Sequence, residues 1–166
     1  NLILIRRAMA LLQPKKGEVI FDFFSGLGNF TLPIATFGSK VLGIEGDSYL
    51  VESGIKNASK NNLDKNVNFK KLDLFNTKKD DLKLLGKADK WLIDPPRDGA
   101  LNLINLISDD IQPKKIVYIS CNPATLARDA HILVTEKGYR LSKAGILNMF
   151  PHTSHVESIA LFEINE

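Results

Sequence analysis

The sequence predicts an α/β fold: one doubly wound domain over residues 1–166, built on a mostly parallel seven-stranded sheet with an antiparallel C-terminal strand. Three observations predict it. Strand-like and helix-like segments alternate along the chain, a glycine turn follows the first apolar strand run, and the last two strand runs have no helix between them.

The opening Leu2–Leu12 segment is apolar at helical spacing and stops before Gln13-Pro14, because proline cannot continue a helix. Apolar, β-branched or aromatic runs then occur at VIFDFF (19–24), KVLGIE (40–45), VNFKKL (67–72), KWLID (90–94) and KIVYIS (115–120). YRLSKAGIL (139–147) and SIALFEI (158–164) complete the set. Helix-like segments lie among the first five and after them: Phe30 to Phe37, Ser48 to Lys60 with Ser48 as N-cap, Leu101 to Ile107, and Ala124 to Glu136 behind Pro123. Strands alternating with helices imply right-handed βαβ units. The final two runs, joined only by the loop NMFPHTSHVE, suit an antiparallel pair closing the sheet.

Bulk composition narrows the function classes. With 44% hydrophobic and 25% charged residues the chain reads as a soluble globular protein. Its single cysteine excludes an intrachain disulfide and any multi-cysteine metal site within these residues, which suits a reducing, cytoplasmic setting. No run approaches the roughly 18 apolar residues of a membrane span, and the start lacks a signal-peptide pattern. A formal charge of +3 favours a polyanion only mildly. The lysines that bunch between Lys56 and Lys90 read as a solvated face. The first residue is not Met, so a fragment of a longer protein is expected.

FDFFSGLGNF places Asp22, Gly26 and Gly28 where the first sheet strand ends and a helix begins, and glycines there let a backbone turn tightly against a ligand. Glu45 ends the next strand, where a carboxylate suits ribose hydroxyls, and Asp73 follows the third, within reach of an adenine or its ribose. The dinucleotide fingerprint lacks its third glycine, so NAD is disfavoured and a nucleoside without phosphates fits better. S-adenosylmethionine is the common one.

KWLIDPPRDGA puts Asp94 at a fourth strand end, with Pro-Pro holding the loop extended. That carboxylate can accept from a base N–H or from the cofactor, or can simply form an Asp-Pro turn. Arg97 suits a phosphate or a pairing with Asp98. ISCNP then brings Cys121 to the fifth strand end, a junction where a helix dipole favours thiolate. Beside a methyl donor a thiolate has a definite task. Added to C6 of a uracil, it turns C5 into an enolate-like carbon that can take a methyl group, and a base must then remove the C5 proton. FPHTSHVES supplies the candidate base, Glu157, with His152 and His155 nearby. These invite a zinc reading, which two imidazoles in one loop and no cysteine cluster do not favour. Loop packing or RNA phosphate suits the two histidines better, and His131 reads as structural.

Taken together, FDFFSGLGNFTLPIA, GIEGDSYLVESGIKNA, LIDPPRDGA, YISCNPATLARD and MFPHTSHVES resemble the RumA/RlmD family of S-adenosylmethionine-dependent 23S ribosomal RNA (uracil-5)-methyltransferases, and less closely the related tRNA enzymes. The resemblance runs from about Val19 to Phe162. It implies a Rossmann-like class I methyltransferase fold, with Cys121 as nucleophile, Glu157 as the base and Asp94 orienting the uracil. Phe24, Gly26, Gly28, Asn29, Glu45 and Asp73 would line the cofactor pocket, with Asp94 bordering it. It also implies S-adenosylhomocysteine as product, a 23S rRNA substrate, a monomer, and no metal in this chain. Family members carry an N-terminal RNA-binding TRAM domain, many carry an iron–sulfur region, and a cofactor-binding glutamine lies upstream. Ser25 stands where some relatives have cysteine. The other readings are an amino-methyltransferase of the D-P-P type, whose motif usually continues with an aromatic residue where Arg97 stands, and a binding module without catalysis.

Overall fold

The computed structural model describes residues 2–148 and 156–165. Seven strands form one sheet in the order β3-β2-β1-β4-β5-β7-β6. In chain order they are β1 (Val19–Phe23), β2 (Lys40–Glu45), β3 (Val67–Lys71), β4 (Lys90–Ile93), β5 (Lys115–Ser120), β6 (Tyr139–Asn148) and β7 (Val156–Ile164). The helices are α1 (Leu2–Leu12), α2 (Thr31–Ala35), α3 (Ser48–Lys60), α4 (Lys79–Lys83), α5 (Leu101–Leu106) and α6 (Pro123–Thr135). Strands β1 to β5 pair in parallel, whereas β7 runs antiparallel to both β5 and β6.

The central strands are buried along nearly their whole length, which is why they read as continuous apolar runs rather than as alternating ones. Their alternation appears instead in which layer each residue enters. Phe23, Trp91, Tyr118 and Phe162 pack with α5 and α6 residues on one face. Ile20, Leu92, Val117, Ile119, Ile159 and Leu161 pack with Leu4, Ala8 and Leu12 of α1 and Ile34 of α2 on the other.

Three local differences from the sequence reading have physical causes. The N-cap of α3 is Asp47, not Ser48: Asp47 is extended (φ −89°) and its carboxylate accepts from the Leu50 N–H at 3.0 Å. Helix α6 begins at Pro123, whose ring suits the first helical position. Helix α4 was not anticipated, because KDDLK has no apolar period. It is started by the Asp81 carboxylate accepting from the Lys78 N–H at 2.9 Å and buries only Leu82.

Candidate active site at the strand carboxyl ends

The glycine turn leaves β1 through Phe24, which has a left-handed backbone (φ 63°), and Gly26 and Gly28 at φ 54° and 98°. A non-glycine residue in that region is strained and marks a site the surroundings must hold in place. Space is distributed unequally. A Cβ on Gly28 would lie 3.2 Å from the Phe69 ring, whereas one on Gly26 would meet nothing within 4 Å, so the backbone at Gly26 stands open to a ligand. Asn29 is exposed beside it. Phe24 packs against Phe75, ring centroids 5.6 Å apart.

Glu45 clamps this turn. Its Oε2 accepts from the Gly26 N–H at 2.9 Å, and its Oε1 accepts from Gly46 and Asp47 at 2.8 and 3.0 Å. A carboxylate has about four acceptor positions, so capacity for one further donor remains. Asp73 is likewise engaged locally, accepting from the Phe75 N–H at 3.0 Å and from Asn76 Nδ2 at 2.7 Å. These bonds hold its carboxyl below the usual range, the Asn76 amide contributing most.

Asp22 is fully buried; its Oδ2 accepts from Thr31 Oγ1 at 2.5 Å, while its Oδ1 has no protein partner. Burial is the main cause that pushes its carboxyl up to about 7, and the charges of Asp94 and Glu45 add to it. Asp94 is also raised to about 7, again chiefly by burial and then by the charge of Glu157. These mutual influences place Asp22, Asp94 and Glu157 in one electrostatic neighbourhood at the carboxyl end of the sheet.

Cys121 enters this neighbourhood through strand register. The β5–β7 ladder ends at Ser120 opposite Ser158. The next residue on each chain is Cys121 and Glu157, both partly buried. Within β7 the pleat's period of two puts Glu157 on the face of Ile159 and Leu161, and Cys121, opposite it, directly follows the last residue of β5. The turn bearing Cys121 is pinned on both sides: Ser120 Oγ accepts from the Asn122 N–H at 3.0 Å, and Asn122 Oδ1 caps α6 by accepting from Ala124 at 3.1 Å.

The described structure therefore brings Asp22, Asp94 and Glu157 into one neighbourhood and sets Cys121 at the end of β5 opposite Glu157, with Phe24, Gly26, Gly28, Asn29, Glu45 and Asp73 along the adjoining β1–β3 rim. His152 and His155 lie outside the described residues. His131 is exposed on α6. Among the described residues no group of three or more His, Cys, Asp and Glu is arranged to hold a metal ion, and no helix is long and apolar enough to cross a membrane. Sequence reasoning passed over Thr31, the partner of Asp22, although a hydroxyl nine residues after a strand-end acid, at the start of a helix, is a readable signal.

The profile of the tRNA (Uracil-5-)-methyltransferase family matches residues 1–164. Two curated relatives are named 23S rRNA (uracil(1939)-C(5))-methyltransferase RlmD. That of Azoarcus sp. is 58% identical over 98% of this chain, and that of Dechloromonas aromatica 56% over 99%. The chain spans 38% of the length of each. Among solved structures, the Pyrococcus abyssi tRNA (uracil-54, C5)-methyltransferase in complex with S-adenosyl-L-homocysteine superposes with a TM-score of 0.79 at 33% identity, covering 96% of this chain and 37% of that one. A Salinibacter ruber RNA methyltransferase, also with S-adenosyl-L-homocysteine, gives 0.69 at 19% identity, covers 99% and 92% of the two chains, and shares the fold. With a profile match across nearly its whole length, this chain belongs to the tRNA (uracil-5-)-methyltransferase family.

Proposed function

We propose that this chain is the catalytic part of an enzyme that transfers a methyl group from S-adenosylmethionine to C5 of a uridine in 23S ribosomal RNA. The observation that carries the reading is the register that sets Cys121 against Glu157, one step beyond the paired ends of β5 and β7, with Glu157 acting on the charge of the partly buried Asp94. The enzyme would act as a cytoplasmic monomer.

The β1–β3 rim fits the cofactor. Open backbone at Gly26, the remaining acceptor capacity of Glu45, exposed Asn29 and the Phe24–Phe75 wall are suited to a nucleoside with a short polar tail. Asp73 keeps an ionised carboxylate facing the same rim. Bound there, S-adenosylmethionine supplies an electrophilic methyl that C5 of the pyrimidine accepts, leaving S-adenosylhomocysteine.

The chain's own residues do the rest. The Cys121 thiolate forms a bond to C6, and the C5=C6 electron pair moves onto C5 and the adjoining carbonyl. Asp94, whose carboxyl is raised to about 7 by burial and then by the charge of Glu157, can meet the carbonyl and N–H edge of the base as a donor when protonated and as an acceptor when ionised. After C5 is methylated, the Glu157 carboxylate takes the C5 proton. The C–H pair re-forms C5=C6, and the C6–S bond breaks to return the thiolate. The base must leave its stack to reach Cys121.

The test incubates the intact enzyme with methyl-labelled cofactor and a 23S rRNA transcript, followed by nucleoside mass spectrometry. Label in 5-methyluridine is expected. Label in an N-methylated adenine, or none in any RNA, contradicts the reading, and label confined to tRNA moves the substrate while leaving the chemistry.

A further inference from the structure

The D-P-P loop and the opening turns of α6 are bound to each other by a network that neither the glycine turn nor the Cys121–Glu157 pair explains. Its centre is Asp129, fully buried on α6. Asp129 Oδ2 accepts from Tyr118 Oη at 2.6 Å and from the Ala100 N–H at 2.8 Å, and its Oδ1 accepts from Arg128 Nε at 2.9 Å and Nη2 at 2.8 Å. Those four donors fill the acceptor capacity of a carboxylate. Burial, followed by its hydrogen bond to Asp129 and then the Asp129 charge, drives the Tyr118 hydroxyl well above its ordinary range, so it remains a neutral donor.

The same helix face reads the loop's carbonyls at intervals of three residues. Asn122 Nδ2 and Thr125 Oγ1 donate to the Arg97 carbonyl at 3.0 and 3.1 Å, and Arg128 Nη2 donates to the Asp98 carbonyl at 2.9 Å. Side chains three apart share one side of a helix, which is why a single segment, NPATLARD, can hold the whole loop. The approach leaves no spare room: a Cβ on Gly99 would lie 2.7 Å from Arg128 Nη2 and 2.9 Å from Asp129 Oδ2. Asp94 opens this loop and Cys121 immediately precedes the Asn122 cap, so one network fixes both.

Stability alone does not call for a buried charge, since well-packed apolar residues commonly replace a buried ion pair without loss. A saturated charge does fix geometry, because every donor must sit at one distance and direction. We infer that Asp129, with Tyr118 as its donor, is a positioning residue that holds the Asp94 loop and the Cys121 turn in one catalytic frame. The inference rests on the proposed uridine methylation.

The test compares wild type, Asp129→Asn and Tyr118→Phe in the intact enzyme. It measures S-adenosylhomocysteine affinity by calorimetry, kcat and KM for RNA, and alkylation mapped to the Cys121 peptide. The expected result is cofactor affinity near wild type in both variants and an altered Cys121 alkylation rate. With KM little changed, kcat should fall about 10²-fold in Asp129→Asn and less in Tyr118→Phe. Tyr118→Phe removes one hydroxyl and keeps the ring, so it decides the matter if Asp129→Asn does not fold. Wild-type enzyme that methylates no uridine overturns the methylation reading and this role with it. Wild-type methylation together with unimpaired kcat in a folded Asp129→Asn or Tyr118→Phe overturns the positioning role alone.

Discussion

At the amino ends of the parallel strands, Lys90 of β4 is 8% exposed, and its ammonium lies 2.7 Å from both Glu18 Oε2 and the Gln13 carbonyl. Lys115 of β5 reaches Glu163 at 3.7 Å, and Tyr139 Oη donates to the Pro113 carbonyl at 2.6 Å. Even the cleft of about 440 Å³ at that end is lined by occupied groups, with Gln112 Nε2 donating to the Lys137 carbonyl and Lys137 Nζ to the carbonyls of Asn105 and Ile107. At the carboxyl ends of the same strands the fully buried Asp22 feels the charges of Asp94 and Glu45, and the partly buried Asp94 feels that of Glu157. Asp22 Oδ1 and Ser25 Oγ are buried there without a protein partner. The charges named at the amino ends are met within the chain, as is Asp129 beside the D-P-P loop, whereas Asp22 and Asp94 stand in one repelling cluster that a ligand can relieve.

The contrast is broken most severely at the proposed nucleophile. Replacing Cys121 by Ala should lower methyl transfer by about 10⁴- to 10⁶-fold with cofactor affinity retained, as steady-state kinetics and calorimetry can show. Equal loss of both would mean that Cys121 supports the pocket rather than the reaction. Glu157→Gln should cost about 10²- to 10⁴-fold in kcat and, unlike Cys121→Ala, should let the enzyme–RNA adduct accumulate on denaturing gels.

The amino end should answer differently. Lys90→Ala leaves Glu18 without its cation and should destabilise the fold by about 3 kcal/mol, while kcat per folded molecule, measured well below the melting temperature, stays at the wild-type value. A loss of kcat at full foldedness would erase the distinction between the two ends.

The last effect is a slope with pH rather than a fixed loss. Asp22 has its carboxyl raised to about 7 when folded, against 3.8 for the ordinary group, so between about pH 4 and pH 7 the folded protein holds a proton that the unfolded chain releases. That contribution is fully present below the unfolded value and is lost as pH rises through the folded one. Asp22→Asn should therefore gain on wild type by about 1 kcal/mol per pH unit across that window, read from paired denaturant titrations. A constant difference from pH 4 to pH 7 would mean that Asp22 is ionised throughout.

Much of this division was legible in the sequence, and what was not has a common cause. Glu45, Asp73, Asp94 and Cys121 end or directly follow strand runs, and Asp22 lies one residue before the end of β1; the carboxyl ends of a parallel sheet converge by topology, so local pattern sufficed to assemble them. Glu157 was legible as a residue near the last strand but not as the neighbour of Cys121. That neighbourhood depends on β7 inserting between β5 and β6, a long-range pairing that no local period encodes. Glu45 and Asp73 were read as acceptors for a ribose or an adenine; what the sequence did not show is that both also accept from backbone or amide N–H groups a few residues away or in the facing turn. The motif around Cys121 included Asp129, yet its partners Tyr118 and Ala100 come from β5 and the D-P-P loop, so its role emerges only in three dimensions.

The central claim, a covalent bond from Cys121 to C6 of the target uridine, is tested most directly with RNA carrying 5-fluorouridine at the modified position. Fluorine cannot be removed as a proton, so the adduct cannot resolve after C5 is methylated. The account predicts a denaturation-resistant RNA–protein complex that requires S-adenosylmethionine, maps by mass spectrometry to the Cys121 peptide, and is absent in Cys121→Ala. An enzyme that methylates ordinary uridine yet forms no such complex would contradict it.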